Sequence, residues 1–336
     1  MAGTDGGRAS ARRRLGGTGV EVSALSVGTA PLGNLFRAVS DADAAATVEA
    51  ALGAGLRYFD TAPLYGHGLA ERRVGTALRG RRDVVLSTKV GRLLRPAEGV
   101  DGGVFDIVPD AVPVFDFSGD GVRRSLEESL QRLGLDHVDV VYLHDPDDHV
   151  RQALDEAYPA LHELRAAGVV KAIGVGMNGP AVPTRFVRET ELDALILAGR
   201  YTLLDRTGAR ELIAACRERG TSIIAAAVLN SGILVDPRPG ATFDYEEAPP
   251  ALLERAQRIE RICRAYGVPL RAAALQFALG EPVVASVLTG MRSPAEVADN
   301  VAMMDLPIPT QLWKDLIADG LIDDWVSVSS ESVASS

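Results

Sequence analysis

Eight short apolar runs, separated by stretches of helical character, limit most strongly what this chain can fold into. They lie near residues 23–27, 57–59, 84–88, 138–143, 171–175, 194–197, 222–226 and 284–288. Most are continuously apolar rather than alternating, as suits parallel strands covered by helices. Helices are expected to begin near Asp41, Leu69, Gly119, Val150, Pro183, Asp205, Pro250 and Pro294. Strand and helix therefore take turns along the chain, which predicts an α/β fold of the (β/α)8 TIM-barrel type, with a doubly wound sheet as the weaker alternative. No long composition break divides the 336 residues, a length one barrel domain can fill. The expected organisation is a flexible arm over 1–12, a single barrel domain over 13–320 and a flexible tail over 321–336.

Two segments break the rhythm. Residues 91–117 form a Gly/Pro-rich insertion after the third run, and residues 229–250 form another after the seventh. In a barrel both leave the rim where loops choose substrates, so they are read either as long catalytic-rim loops or as surface excursions. Phe105, Phe115, Phe117, Phe243 and Tyr245 make a lid the more attractive of the two.

The net charge of -10 argues against broad binding to nucleic acid or anionic membranes, yet allows a local basic pocket for a dinucleotide phosphate. No run of eighteen apolar residues predicts a membrane span, and the N-terminal arginines are not followed by the apolar core of a secretory signal. Cys216 and Cys263 fall in expected helices and read as buried or half-buried thiols, which fits a reducing cytoplasm. No compact Cys/His/Asp/Glu spacing predicts a metal site, and no GxSxG elbow predicts a serine hydrolase.

Asp60, Tyr65, Lys89 and His144 each fall at or just past the end of an expected strand. A closed parallel barrel gathers such ends over one mouth. A phenol can donate or accept a proton through one oxygen, but its free pKa is near 10. A neighbouring lysine cation favours phenolate, a carboxylate can hold that lysine, and an imidazole can orient a reacting oxygen. In isolation each has a plainer role: Tyr65 in packing, Asp60 as a loop cap, Lys89 in a structural ion pair, His144 in a turn beside Asp145 and Asp147. Together they suit carbonyl–alcohol redox chemistry. His67 lies close to Tyr65 and is read equally as pocket lining or turn packing, whereas His137, His149 and His162 read as surface or helix-packing residues.

The motifs RYFDTAPLYGHGLAERRVG, STKVGR, YLHD and GVGMN resemble those of the aldo-keto reductase family over about 15–307. The strings TAPLYGHGLAE, YLHDPD, AGRYTLLD and NSGIL resemble its bacterial aldose dehydrogenase branch, whose members oxidise the anomeric hydroxyl of free sugars such as L-fucose or D-threo-aldose to a lactone. The resemblance implies a nicotinamide cofactor bound without a Rossmann domain, NAD or NADP, with the oxidative task favouring NAD. It makes Tyr65 the general acid/base, supported by Asp60, Lys89 and His144.

For the cofactor the resemblance implies contacts from Gly28, Thr29 and Asp60, and from Asn178 at the carboxamide. It further implies backbone contacts from Thr289, Gly290 and Met291, a phosphate contact from Arg292, and adenine-side contacts from Glu296 and Asn300. Where members carry a glutamine after the sixth strand and a nicotinamide-stacking aromatic after the seventh, this chain has Ala198 and Ala226. The expected partner is a small-molecule sugar or aldehyde, with homo-oligomerisation left open. Two other functions compete: a pyridoxal dehydrogenase or general aldehyde/ketone reductase with the same centre, and a non-catalytic nicotinamide-binding subunit.

Overall fold

The computed structural model describes residues 7–328. Eight parallel strands close into a barrel: β1 (Leu25–Gly28), β2 (Tyr58–Asp60), β3 (Val85–Val90), β4 (Val140–His144), β5 (Ala172–Met177), β6 (Ala194–Ala198), β7 (Ser222–Ala226) and β8 (Val284–Gly290). Each pairs with its neighbours in chain order, and β8 returns to β1. All eight expected runs are barrel strands.

The main helices are α1 (Asp41–Gly53), α2 (Leu69–Leu78), α3 (Gly119–Leu133), α4 (Tyr158–Ala166), α5 (Ala181–Glu189), α6 (Ala209–Arg219), α7 (Pro250–Ala265), α8 (Leu270–Phe277), α9 (Pro294–Asp305) and α10 (Thr310–Ala318). Local chemistry sets several starts. Ser40, Ser118 and Ser293 each accept a backbone N–H three residues on, satisfying a donor the helix leaves unpaired. The helix expected from Asp205 begins instead at Ala209. Thr202 accepts the N–H of Asp205, Asp205 accepts the N–H of Thr207, and the chain passes through left-handed Gly208 before it turns helical. The helical stretch from Val150 reaches α4 through a π-turn over Ala153–Ala157. Pro159 lies just beyond; it has no N–H to give and would crowd an ordinary α-turn, so the wider turn accommodates it.

Two cores form. The larger lies between barrel and helices. The smaller fills the barrel, where Tyr58, Val140, Tyr142, Ala172, Ile196 and Leu288 meet Leu15, Val20 and Val22. The last three belong to an N-terminal hairpin, Arg12–Arg14 paired with Glu21–Ser23, and its turn. The Gly16 N–H donates to Ser222 at the N-terminal end of β7, so this hairpin plugs the barrel floor. Burying each of those apolar side chains contributes about 1.5–3 kcal/mol. Gly174 leaves room for a large neighbour: a Cβ there would lie 2.7 Å from the Tyr142 ring.

The expected flexible ends are partly packed. Ala9 is buried and its N–H donates to Asp305. At the other end Leu321, Ile322 and Val326 are buried, and Arg206 binds the Leu321 carbonyl and the Asp323 carboxylate. Apolar side chains within a polar-looking stretch supply the packing. Residues 1–6 and 329–336 lie outside the described residues.

The insertion at 91–117 contains an antiparallel hairpin, Arg92–Pro96 with Ala111–Phe115. Its tip is tied to the loop after β1 by a Leu35–Phe105 bridge and by the Phe36 N–H bonded to the Val104 carbonyl. The insertion at 229–250 carries a small hairpin, Thr242–Phe243 with Glu246–Glu247. Its Tyr245 ring packs 5.6 Å from that of Phe36. Among the described residues no helix is long and apolar enough to cross a membrane.

Candidate active site

The four residues singled out at strand ends meet at the C-terminal rim of the barrel. Parallel register brings them together: Asp60 on β2 stands opposite Ser87 on β3, and Lys89 on β3 stands opposite Tyr142 on β4. Side chains two residues apart on a strand share a face, so Ser87 and Lys89 both point inward.

Lys89 Nζ lies 2.5 Å from Asp60 Oδ2, 3.0 Å from the Thr61 carbonyl and 2.9 Å from the Tyr65 hydroxyl. Asp60 accepts a second bond, 2.7 Å, from the Ser87 hydroxyl. Ser87 continues to Tyr58 at 3.0 Å, and Tyr58 to Tyr142 at 3.0 Å. A buried polar chain thus runs from the barrel interior up to the Tyr65 phenol. His144 stands on the other side of that phenol, its ring edge-on to the Tyr65 ring with centroids 6.1 Å apart.

Tyr65 comes off a turn that tolerates little change. Gly33 in the loop after β1 packs directly on the Tyr65–Gly66 peptide, and a Cβ at Gly33 would sit 2.7 Å from the Tyr65 carbonyl carbon. Gly66 and Gly68 take left-handed backbone with φ of 60° and 87°. His67, also left-handed, is a packing residue: its Nδ1 is 2.8 Å from the Ala111 carbonyl and its ring meets Phe105. It therefore fastens the Tyr65 turn to the 91–117 insertion.

The electrostatics follow from burial. Desolvation works against the Lys89 ammonium, but Asp60 and Tyr65 outweigh it and raise its pKa to about 12. Tyr65 differs from expectation in sign. Lys89 does pull its pKa down, yet burial dominates and the net shift is upward, with Asp60 and Asp145 adding to the rise. The phenol therefore holds its proton more tightly than a free tyrosine does. His144 is driven well below its ordinary value by burial, then by the Lys89 and Arg92 charges, and is neutral near pH 7. Its Nε2 lies 3.5 Å from an Asp145 oxygen, whereas its buried Nδ1 has no partner among the described residues. A proton on Nε2 is the tautomer this arrangement favours.

The residues implied for a dinucleotide are more mixed. Gly28 and Gly290 are paired across β1 and β8 at the rim, and a Cβ on Gly290 would crowd the Pro31 ring at 2.8 Å. Thr29 is fully buried and its hydroxyl donates to the Asp60 carbonyl, so it braces β1 against β2. Thr289 is buried with its hydroxyl unpaired among the described residues, and Met291 is buried. Asn178 follows β5 with an exposed side chain. Glu296 accepts the Arg292 N–H and lies 3.7 Å from that guanidinium and 3.6 Å from Arg37. Asn300 accepts from Arg271. Two guanidiniums around one carboxylate, the N-terminus of α9 and an unsatisfied buried hydroxyl suit the phosphates and ribose of a nicotinamide dinucleotide. Asp60 bonds Lys89 and Ser87.

Sequence reading passed over Ser87, Tyr58, Tyr142 and Arg92. The first three look like ordinary strand residues until register is known. Arg92 lies in the insertion, with its guanidinium 2.6 Å from Asp145. Asn230, in NSGIL, was likewise passed over. It donates to the Gly199 carbonyl, and its buried Oδ1 is unpaired among the described residues.

Comparison with known proteins matches residues 24–318 to the model of the Aldo/keto reductase family. The chain is 46% identical to a D-threo-aldose 1-dehydrogenase from Pseudomonas sp over 315 residues, covering 90% of this chain and 96% of the relative. It is 42% identical to a pyridoxal 4-dehydrogenase from Microbacterium luteolum over 339 residues, covering 94% and 99%. A holo-form aldo-keto reductase from Bacillus halodurans superposes with a TM-score of 0.74 at 28% identity, covering 96% and 98% of the two chains.

Proposed function

Because the chain belongs to the aldo-keto reductase family, an NAD(P)-dependent group of oxidoreductases, we propose that it oxidises the anomeric hydroxyl of a free aldose, of the L-fucose or D-threo-aldose type, to the lactone. The observation that carries this reading is the contact between Lys89 Nζ and the Tyr65 hydroxyl at 2.9 Å, with Asp60 behind the ammonium at 2.5 Å. The similarity to the D-threo-aldose enzyme supports the substrate class.

A bound nicotinamide dinucleotide would supply the hydride acceptor and, when oxidised, a positive charge. The rim between β8 and α9 would hold it, with Thr289 and Gly290 at the strand end, Arg292 toward phosphate, and Glu296 and Asn300 toward the adenosine. The oxidative task is the ground for preferring NAD to NADP.

The remaining work is proton chemistry. The neutral His144 donates from Nε2 to the substrate oxygen and fixes its direction. Once Tyr65 has lost its own proton to solvent, the substrate hydroxyl proton passes to the phenolate oxygen as the C1–H bond breaks and C1=O forms. Lys89 stabilises the phenolate that takes the proton, and Asp60 keeps the ammonium in place. The reverse sequence reduces an aldehyde or ketone.

The test is a rate panel with NAD and NADP against L-fucose, D-arabinose, L-galactose and pyridoxal, with a Tyr65→Phe variant alongside. The reading expects aldose turnover, and a Tyr65→Phe protein that binds cofactor with turnover reduced by about 100-fold or more. Activity confined to pyridoxal or other non-sugar carbonyls would overturn the substrate. Undiminished turnover by Tyr65→Phe would overturn the mechanism.

A further inference from the structure

One ion pair at the mouth lies beside the proton-transfer groups without being one of them. Arg92 opens the hairpin of the 91–117 insertion, and Asp145 directly follows His144 at the end of β4. Their side chains, 2.6 Å apart, are 15% and 30% exposed, so the pair is largely withdrawn from water yet keeps some accessible surface.

Three observations set the Asp145 carboxylate on the substrate side. One oxygen lies 3.5 Å from His144 Nε2, the nitrogen assigned above to the substrate oxygen. Its backbone is left-handed, φ 46°, an uncommon state for a residue other than glycine, while its N–H is tethered to the Gly176 carbonyl on β5. Its charge also opposes ionisation of both Tyr65 and Tyr245, so it lies within electrostatic reach of both. Arg92 is backed by an aromatic wall: its guanidinium lies 4.4 Å from the Phe115 ring, which stacks on Phe117.

We propose that Arg92 and Asp145 form a hydroxyl-reading pair that selects polyhydroxylated aldoses over simple aldehydes. A sugar hydroxyl both donates and accepts. A carboxylate beside a guanidinium offers one acceptor and one donor within a single hydroxyl's reach. The pair is held in place before substrate arrives, so little order is lost on binding. An aldehyde without hydroxyls leaves the pair unsatisfied by substrate and gains nothing from it. The Phe36–Tyr245 pair above completes the fit by covering the apolar face of a sugar ring.

The inference rests on the aldose reading, and the test separates the two. Asp145→Asn keeps the side-chain shape and tolerates left-handed backbone; Arg92→Lys keeps the charge without the planar fork. Each variant is compared with wild type for aldose oxidation and, in reverse, for propanal reduction, with cofactor affinity measured by fluorescence titration. The expected outcome is a fall of about tenfold or more in the ratio of aldose kcat/KM to propanal kcat/KM, beyond any loss the two substrates share. Equal losses on both substrates would overturn the inference and show the pair acting through His144. Unchanged aldose kinetics would also overturn it, leaving the aldose assignment intact. If wild type oxidises no aldose, both readings fall. Should Asp145→Asn fail to fold, the same ratio in Arg92→Lys decides.

Discussion

Lys89→Met separates what the buried ion pair contributes to stability from what it contributes to chemistry. In the folded protein the Lys89 and Asp60 side chains are 3% and 1% exposed. At 2.5 Å, and with an effective dielectric constant of about 20, their gross attraction is about 7 kcal/mol. Desolvation of both charges offsets most of that, so the net value of the pair is small. The cost of breaking it is not small, because Asp60 is then left charged and buried with only the Ser87 hydroxyl and its surroundings to stabilise it. Removing one partner of such a pair costs about 3–5 kcal/mol.

The sign of the pH dependence tells where to measure. The Lys89 pKa is raised from 10.5 to about 12, so its contribution is complete below the unfolded value and is lost only as pH climbs through the folded one. Urea unfolding near neutral pH therefore reports the whole effect. The double variant Asp60→Asn/Lys89→Met removes the stranded charge and should be more stable than Lys89→Met alone, while remaining as inactive. A Lys89→Met protein within about 1 kcal/mol of wild type would refute the argument, as would a double variant whose loss equals the sum of the singles.

Two further outcomes follow from the site. Gly33→Ala must push the Tyr65–Gly66 peptide away from contacts of 2.7–2.8 Å, so steady-state assays should show kcat lowered by about 100-fold with cofactor affinity nearly retained. His144 has a folded pKa well below 6.5, so its neutral burial stabilises the protein above the unfolded value and that contribution is lost as pH falls below it. Wild-type unfolding free energy should decline on acidification by up to about 1.4 kcal/mol per pH unit from this group, and His144→Gln should lack that component when both are followed by urea titration.

The barrel was legible because its strands are buried on both faces and so carry unbroken apolar runs, which few other elements of this length do. The insertion hairpin was not. Arg92–Pro96 and Ala111–Phe115 include two arginines and two prolines and are half exposed, so neither continuous apolarity nor alternation marks them. Likewise α8, which follows α7 after a short turn, was not singled out, and Pro183 suggested a later start for α5 than Ala181, because proline fits the first turn of a helix generally.

The site divides along the same line. Asp60, Tyr65, Lys89 and His144 could be found because a closed parallel barrel turns strand ends into one rim, whatever the fine register. The Tyr142–Tyr58–Ser87 chain beneath them depends on register itself. Shift β3 by one residue against β2 and Ser87 no longer faces Asp60, while every inward side chain of β3 turns outward. Burial carries the same lesson for charge. From the residue types alone a lysine beside a tyrosine predicts a lowered phenol pKa; with the phenol enclosed, desolvation outweighs the cation and reverses the sign. The ammonium is thus a partial counterweight to burial.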